Sequence, residues 1–109
     1  MGIEIAVRHM EISPEARDQI RKQCEDVLRE FRTLEDIHVI LDGRSFRKMA
    51  ELVLQGKPHL RIEAAHTADD VFAAFNGAMD KTLKQLRKAL EKLHQHRASG
   101  MDGVSETEG

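Results

Sequence analysis

Ile3, Ile5 and Val7 alternate with Glu4, Ala6 and Arg8, the period-two pattern of a strand with one buried and one wet face, which predicts a strand over 2–8. Ser13-Pro14-Glu15 follows. A hydroxyl there caps free amides, proline suits the first helical position, and an acid favours the positive end of a helix. Ala16, Ile20, Cys24, Val27, Leu28 and Phe31 then recur at helical spacing, predicting a helix over about 14–32 with a single apolar stripe.

Ile37, Val39 and Leu41 mark a second strand, halted at Asp42-Gly43, a dipeptide suited to turns. Ala50, Leu52 and Leu54 form a third period-two set, bounded by Gln55-Gly56-Lys57-Pro58, and Leu60, Ile62 and Ala64 form a fourth. So short a separation makes the third and fourth strands an antiparallel hairpin. The second and third join through a loop from Gly43 to Lys48. Thr67 or Asp69 is placed to cap a second helix. Phe72, Phe75, Met79, Leu83, Leu86, Leu90 and Leu93, at steps of three or four, extend that helix over about 69–96.

The order β-α-β-β-β-α places one apolar sheet face under two helices that each have one apolar stripe. The expected fold is an α+β two-layer sandwich, a four-stranded sheet with both helices on one face. Residues 1–97 make the domain. Residues 98–109, with three glycines, two serines and three acids, have the composition of a disordered acidic tail.

Composition narrows the function. The chain has 109 residues, 40% apolar and 33% charged, enough for one core and not for two domains. Its single cysteine excludes a disulfide scaffold or a cysteine-rich zinc module and fits a reducing, cytoplasmic setting. No stretch approaches the roughly 20 apolar residues of a membrane span, and no export signal is expected. With four phenylalanines and no Trp or Tyr, a platform stacking several bases is not expected.

The formal charge of −2 conceals a polarised chain. Removing the tail acids Asp102, Glu106 and Glu108 turns −2 into +1, and from Lys81 to Arg97 six basic residues face only Glu91. On a wheel of about 100° per residue with Lys81 at zero, Lys84, Lys88 and Lys92 fall at about 300°, 340° and 20°, with the large apolar residues between about 120° and 200°. A row of ammonium groups suits a phosphate backbone, as point charges that displace counterions. The alternative is a helix whose lysines only serve solubility. On the first helix Arg21, Lys22, Arg29 and Arg32 either extend the basic surface or pair with Asp18, Glu25, Asp26 and Glu30.

Catalytic apparatus is not visible. Cys24 belongs to an apolar stripe and reads as core. His94 and His96 point about 200° apart on a helix and cannot share a metal. His9, His38, His59 and His66 lack a carboxylate or cysteine spaced to complete a chelate. No glycine-rich phosphate loop, GxSxG or HExxH occurs. No cofactor, metal or small-molecule substrate is expected. Gly77, inside the second helix, allows close approach of either a strand or a partner.

Asp69-Asp70-Val71-Phe72-Ala73-Ala74-Phe75-Asn76, continuing to Asp80-Lys81 and Gln85-Leu86-Arg87-Lys88, resembles the signature of the ribosome hibernation promoting factors, or ribosome-associated inhibitors. Ile5-Ala6-Val7-Arg8-His9, Ile12-Ser13 and the helix from Arg17 to Phe31 extend the resemblance over residues 2–96. It implies the same β-α-β-β-β-α order and a non-enzymatic protein that binds the small ribosomal subunit under stress. Such a protein occupies the channel for messenger RNA and transfer RNA. The family's basic positions fall on Lys81, Lys84, Lys88 and Lys92, and the full expected RNA-binding set is Arg8, Lys22, Arg29, Lys81, Lys84, Arg87, Lys88 and Lys92. Ribosomal RNA phosphates would be the main partner and ribosomal proteins the secondary one.

Three positions depart from the family pattern: Phe72 for a usual tyrosine, Asn76 for a usual aspartate, and Asp26 for a frequent lysine. The short members of the family either promote or oppose ribosome dimers. Two rival readings remain open, a general double-stranded RNA-binding module and a protein-partner regulator of a sigma factor.

Overall fold

The computed structural model describes residues 2–44, 46–57 and 59–99, with side chains as far as Lys92. The elements are β1 (Gly2–Arg8), α1 (Pro14–Glu30), β2 (Leu34–Asp42), β3 (Lys48–Gly56), β4 (Leu60–Ala68) and α2 (Val71–Ser99). The sheet order is β1-β2-β3-β4. β1 runs parallel to β2, because α1 carries the chain back to the starting end, while β2-β3-β4 is an antiparallel meander.

Local chemistry sets the boundaries. Ser13 Oγ accepts the Ala16 amide at 3.1 Å with Pro14 in the first turn of α1, as its sequence dictates. The cap of α2 is Asp70, whose carboxylate accepts the Ala73 amide at 2.9 Å. Neither expected residue fills that role: Thr67 lies in β4, which continues to Ala68, and Asp69 precedes the cap. Period-two alternation in Ala64, His66 and Ala68 is weak in apolar content, so the last turn of strand was invisible to the pattern. At the other end α2 continues to Ser99, into the segment expected as tail; residues 100–109 lie outside those described.

Both helices cover one face. Ile20, Cys24 and Val27 of α1 join Ile37, Val39 and Leu41 of β2, Ala50, Leu52 and Leu54 of β3, and Ala74, Phe75, Ala78, Met79 and Leu86 of α2 in one buried cluster. At the end of β3 the chain passes so close to the α1–β2 connection that a Cβ on Gly56 would lie 2.1 Å from the Thr33 carbonyl oxygen. Only glycine fits there.

The other sheet face has no helix. It carries the rows Glu4-His38-Val53-Glu63 and Gly2-Asp36-Gln55-Arg61, read from the strand registers, with Glu51 on the next row. His38 pairs with Glu4 at 2.8 Å and Arg61 with Glu63 at 2.7 Å. Carboxylates outnumber cations, so this face repels polyanions.

Candidate nucleic-acid interface

Among the described side chains of α2, those that are actually buried are Ala74, Phe75, Ala78, Met79, Thr82 and Leu86. On the wheel with Lys81 at zero they span about 20° to 160°. Phe72, Leu83 and Leu90 are only half-buried, at the side facing α1. The burial arc is therefore rotated towards β4 from the arc marked by the large apolar residues. Small side chains cause the rotation: Ala74, Ala78 and Thr82 let the helix settle close to the sheet, and Thr82 Oγ1 is satisfied by the Met79 carbonyl at 2.8 Å.

This rotation divides the expected lysine row. Lys81, Lys84, Lys88 and Lys92 are all exposed. Lys84, at about 300°, faces away from the sheet with Glu91 beside it, and Lys88, at about 340°, lies between Lys84 and Lys81, so the two form an exposed ridge that leans towards β4. Lys81 sits on the shoulder above the edge strand, where its Nζ donates to the Ala65 carbonyl at 3.0 Å. Gln85 Nε2 reaches the Glu63 carbonyl of the same edge at 3.5 Å. The pair covers carbonyls that an edge strand would offer to another chain, so Lys81 has a structural duty that the sequence pattern did not reveal.

Arg87 leaves the row on the other side. Its guanidinium lies over the Phe31 ring, 5.8 Å from the centroid, and joins α2 to the end of α1. Towards the start of α2, the groove between the helices is lined by Gln23, Asp26, Val27, Asn76, Met79, Asp80 and Leu83, so two carboxylates replace the cations. The basic ground is thus the half of α2 from Lys81 to Lys92.

Lys22 and Arg29 lie on the outer surface of α1 and are exposed. Arg29 is ion-paired with Asp26, and Asp18 and Glu25 share their surface. This outer surface is charge-balanced, in keeping with the pairing alternative. Arg8 is exposed at the end of β1, opposite Asp42 and remote from the lysine ridge.

The remaining candidate groups are structural. The Cys24 thiol is fully buried and its pKa is pushed up to about 12, chiefly by burial, so it stays protonated. His9, with φ of 58°, sets its Nδ1 3.2 Å from the Asp42 carboxylate. His59, with φ of 64°, shapes the turn before β4. The His66 ring occupies the space beside Gly77. Among the described residues no three His, Cys, Asp or Glu side chains are grouped to hold a metal, and no helix is long and apolar enough to cross a membrane. His94 and His96 lie beyond the described side chains.

One sequence signal was passed over. The β2–β3 connection carries Arg44, Phe46, Arg47 and then Lys48, a basic run around an aromatic residue, and Phe46 is 87% exposed. The spacing was legible, but whether the ring lay in the core or in water required the fold.

An α+β sandwich with lysines exposed along its outer helix and carboxylates on its open sheet face defines a small two-layer module whose two sides differ in charge. A profile of the sigma 54 modulation protein / S30EA ribosomal protein family matches residues 3–94, and the chain belongs to that family. It is 27% identical over 96 residues to a ribosome hibernation promoting factor of Klebsiella oxytoca, spanning 88% of this chain and all of that one. A ribosome hibernation promoting factor of Pseudomonas putida is 27% identical over 92 residues, covering 84% and 89% of the two chains. The fold superposes on a ribosomal subunit interface protein from Coxiella burnetii with a TM-score of 0.71, at 23% identity over 84% of this chain and 99% of the other. On the Thermus thermophilus Protein Y N-terminal domain the TM-score is 0.67, at 22% identity over 81% and 98%.

Proposed function

We propose that this protein binds the small ribosomal subunit in the cytoplasm and holds ribosomes in a hibernating state, filling the messenger and transfer RNA channel with the outer face of α2. Family membership over residues 3–94, joined to the exposed ridge of Lys84 and Lys88, is the observation that carries the reading. Lysines spaced along one helix meet phosphates without reading bases, so affinity comes from charge and selectivity from the shape of the cleft. Silencing by exclusion needs no catalytic group. The acidic open sheet orients the molecule, since its carboxylates disfavour an approach of ribosomal RNA over that face.

Sedimentation of the protein with purified ribosomes and isolated subunits, at low and raised salt, tests the proposal. The expected result is co-migration with the small subunit and intact ribosomes that falls away with salt. Each phosphate contact adds about 0.7–0.9 to the log–log slope, so Lys84→Glu with Lys88→Glu should flatten it by about 1.4–1.8 and weaken binding sharply. Wild-type sedimentation of a folded double variant would refute the assigned face. Equal binding to arbitrary RNA duplexes would favour a general RNA module, and a salt-insensitive complex with a protein alone would favour the sigma-factor reading.

A further inference from the structure

Phe46 is the one large apolar side chain that stands in water among the described residues, 87% exposed in the connection between β2 and β3. The loop that carries it is braced at both stems. On one side the Asp42 carboxylate accepts the Arg44 amide at 2.9 Å and faces His9 Nδ1 at 3.2 Å, while the Gly43 amide donates to the Arg8 carbonyl at 3.0 Å. On the other side Arg47 Nε lies 3.7 Å from the Asp69 carboxylate, just before α2. The ring is held out from the sheet end between two anchored stems, and such bracing lowers the ordering cost of a contact.

The surroundings are cationic. Arg44 and Arg47 flank the ring in sequence, each 3.7 Å from a carboxylate, of Asp42 and Asp69 respectively, while Lys48 opens β3 and Arg8 ends β1, so these four cations outnumber the two acids. An aromatic ring among guanidinium groups matches an unpaired nucleotide: the ring offers a stacking face to the base and the cations meet its phosphates. An acidic peptide would use the cations and leave the ring without a partner. From Val71 to Lys84 and Lys92, α2 climbs about 20 and 32 Å at 1.5 Å per residue, so the loop lies well away from the lysine ridge.

We infer that the β2–β3 loop is a second RNA contact, in which Phe46 stacks on an unpaired base of the RNA that α2 grips through its phosphates. The inference rests on the proposed ribosome binding and adds a contact that depends on an exposed base. A neutral ring releases no counterions, so its loss should reduce affinity while leaving the salt slope unchanged. That signature separates it from the lysine ridge.

The test titrates small subunits with wild type, Phe46→Ala and Phe46→Trp at several salt concentrations. Phe46→Ala should keep its melting temperature and its salt slope and bind about tenfold more weakly, within the roughly 5- to 150-fold range of base–aromatic stacking. The chain has no tryptophan of its own, so Phe46→Trp gives a single reporter whose fluorescence should be quenched on binding, with affinity retained. A photoreactive aryl group at position 46 should cross-link to a ribosomal RNA nucleotide. Undiminished binding of Phe46→Ala, an unquenched tryptophan, or cross-linking only to a protein would overturn the inference. If wild type itself fails to bind ribosomes, the proposed function falls and the loop contact on it falls too; if wild type binds and Phe46→Ala binds equally, only the loop contact falls.

Discussion

Replacing Gly77 with alanine opposes two effects that sequence and structure rank differently. In an open helix Gly→Ala stabilises by about 1 kcal/mol, because alanine loses less backbone entropy. Here the new methyl would lie 2.1 Å from Cδ2, 2.4 Å from Cγ and 2.6 Å from Nε2 of His66, where carbon atoms settle at about 3.5–4.0 Å. Three atoms of one rigid ring are hit, and Cγ is fixed directly to Cβ, so relief requires rotating the whole imidazole or lifting α2 from β4. Overpacking of this kind costs about 1–3 kcal/mol. Set against the helical gain, Gly77→Ala should lower stability by up to about 2 kcal/mol, with about 4–8 °C of melting temperature for each kcal/mol in a domain of this size. In a His66→Ala background the obstruction is gone and the same substitution should raise stability by about 1 kcal/mol. Urea unfolding of the four proteins, followed by helical circular dichroism, yields the coupling as a double-mutant cycle, expected at about 1–3 kcal/mol. Stabilisation by Gly77→Ala in both backgrounds would show that the ring does not fill that space and would refute the reasoning.

Two further expectations concern ionisation. Asp42 is held below the usual carboxylate range, first by the Arg44 amide and then by His9, against a contribution from burial that raises it. Its folded pKa lies under its unfolded one, so its stabilisation is present above the unfolded value of roughly 3.9 and is lost as pH falls through the folded value. Asp42→Asn, which keeps an acceptor for the Arg44 amide, should flatten the acid limb of a stability-versus-pH curve measured by urea unfolding; an unchanged limb would place the titration elsewhere. Cys24, buried with its thiol pKa at about 12, should resist thiol reagents at mildly alkaline pH and react only as the domain opens. Rapid labelling of a protein that keeps its helical signal would contradict that burial.

Much of the architecture was legible along the chain because each element carries its own periodicity and punctuation. Strand β1 over Gly2–Arg8 and the Ser13-Pro14 start of α1 follow from contacts within a few residues, and the structure repeats them. The lysine ridge was legible for the same reason, since Lys84 and Lys88 are one turn apart on any helix. Local pattern offered Thr67 or Asp69 as the cap of α2 and missed Asp70, because the same carboxylate chemistry suits an N-cap at either aspartate and the length of β4 decides between them.

The amino-acid sequence by itself determined the order of elements, the single core and the excess of basic charge on the second helix, all of which arise from spacing along the chain. Only the tertiary structure decided how α2 is rotated on the sheet, and that rotation depends on Ala74, Ala78 and Thr82, residues too small to register in a hydrophobic pattern yet decisive for close approach. It sends Lys81 to the Ala65 carbonyl and Arg87 to Phe31, leaving Lys84 and Lys88 exposed between them. Gly77 faces the His66 ring from a strand whose register no local signal fixes, and Phe46 stands in water because the short, braced connection between β2 and β3 gives its ring no core to enter. Residue spacing sets which side chains share a helix face, whereas the distance between elements, fixed by packing, sets what each of them touches.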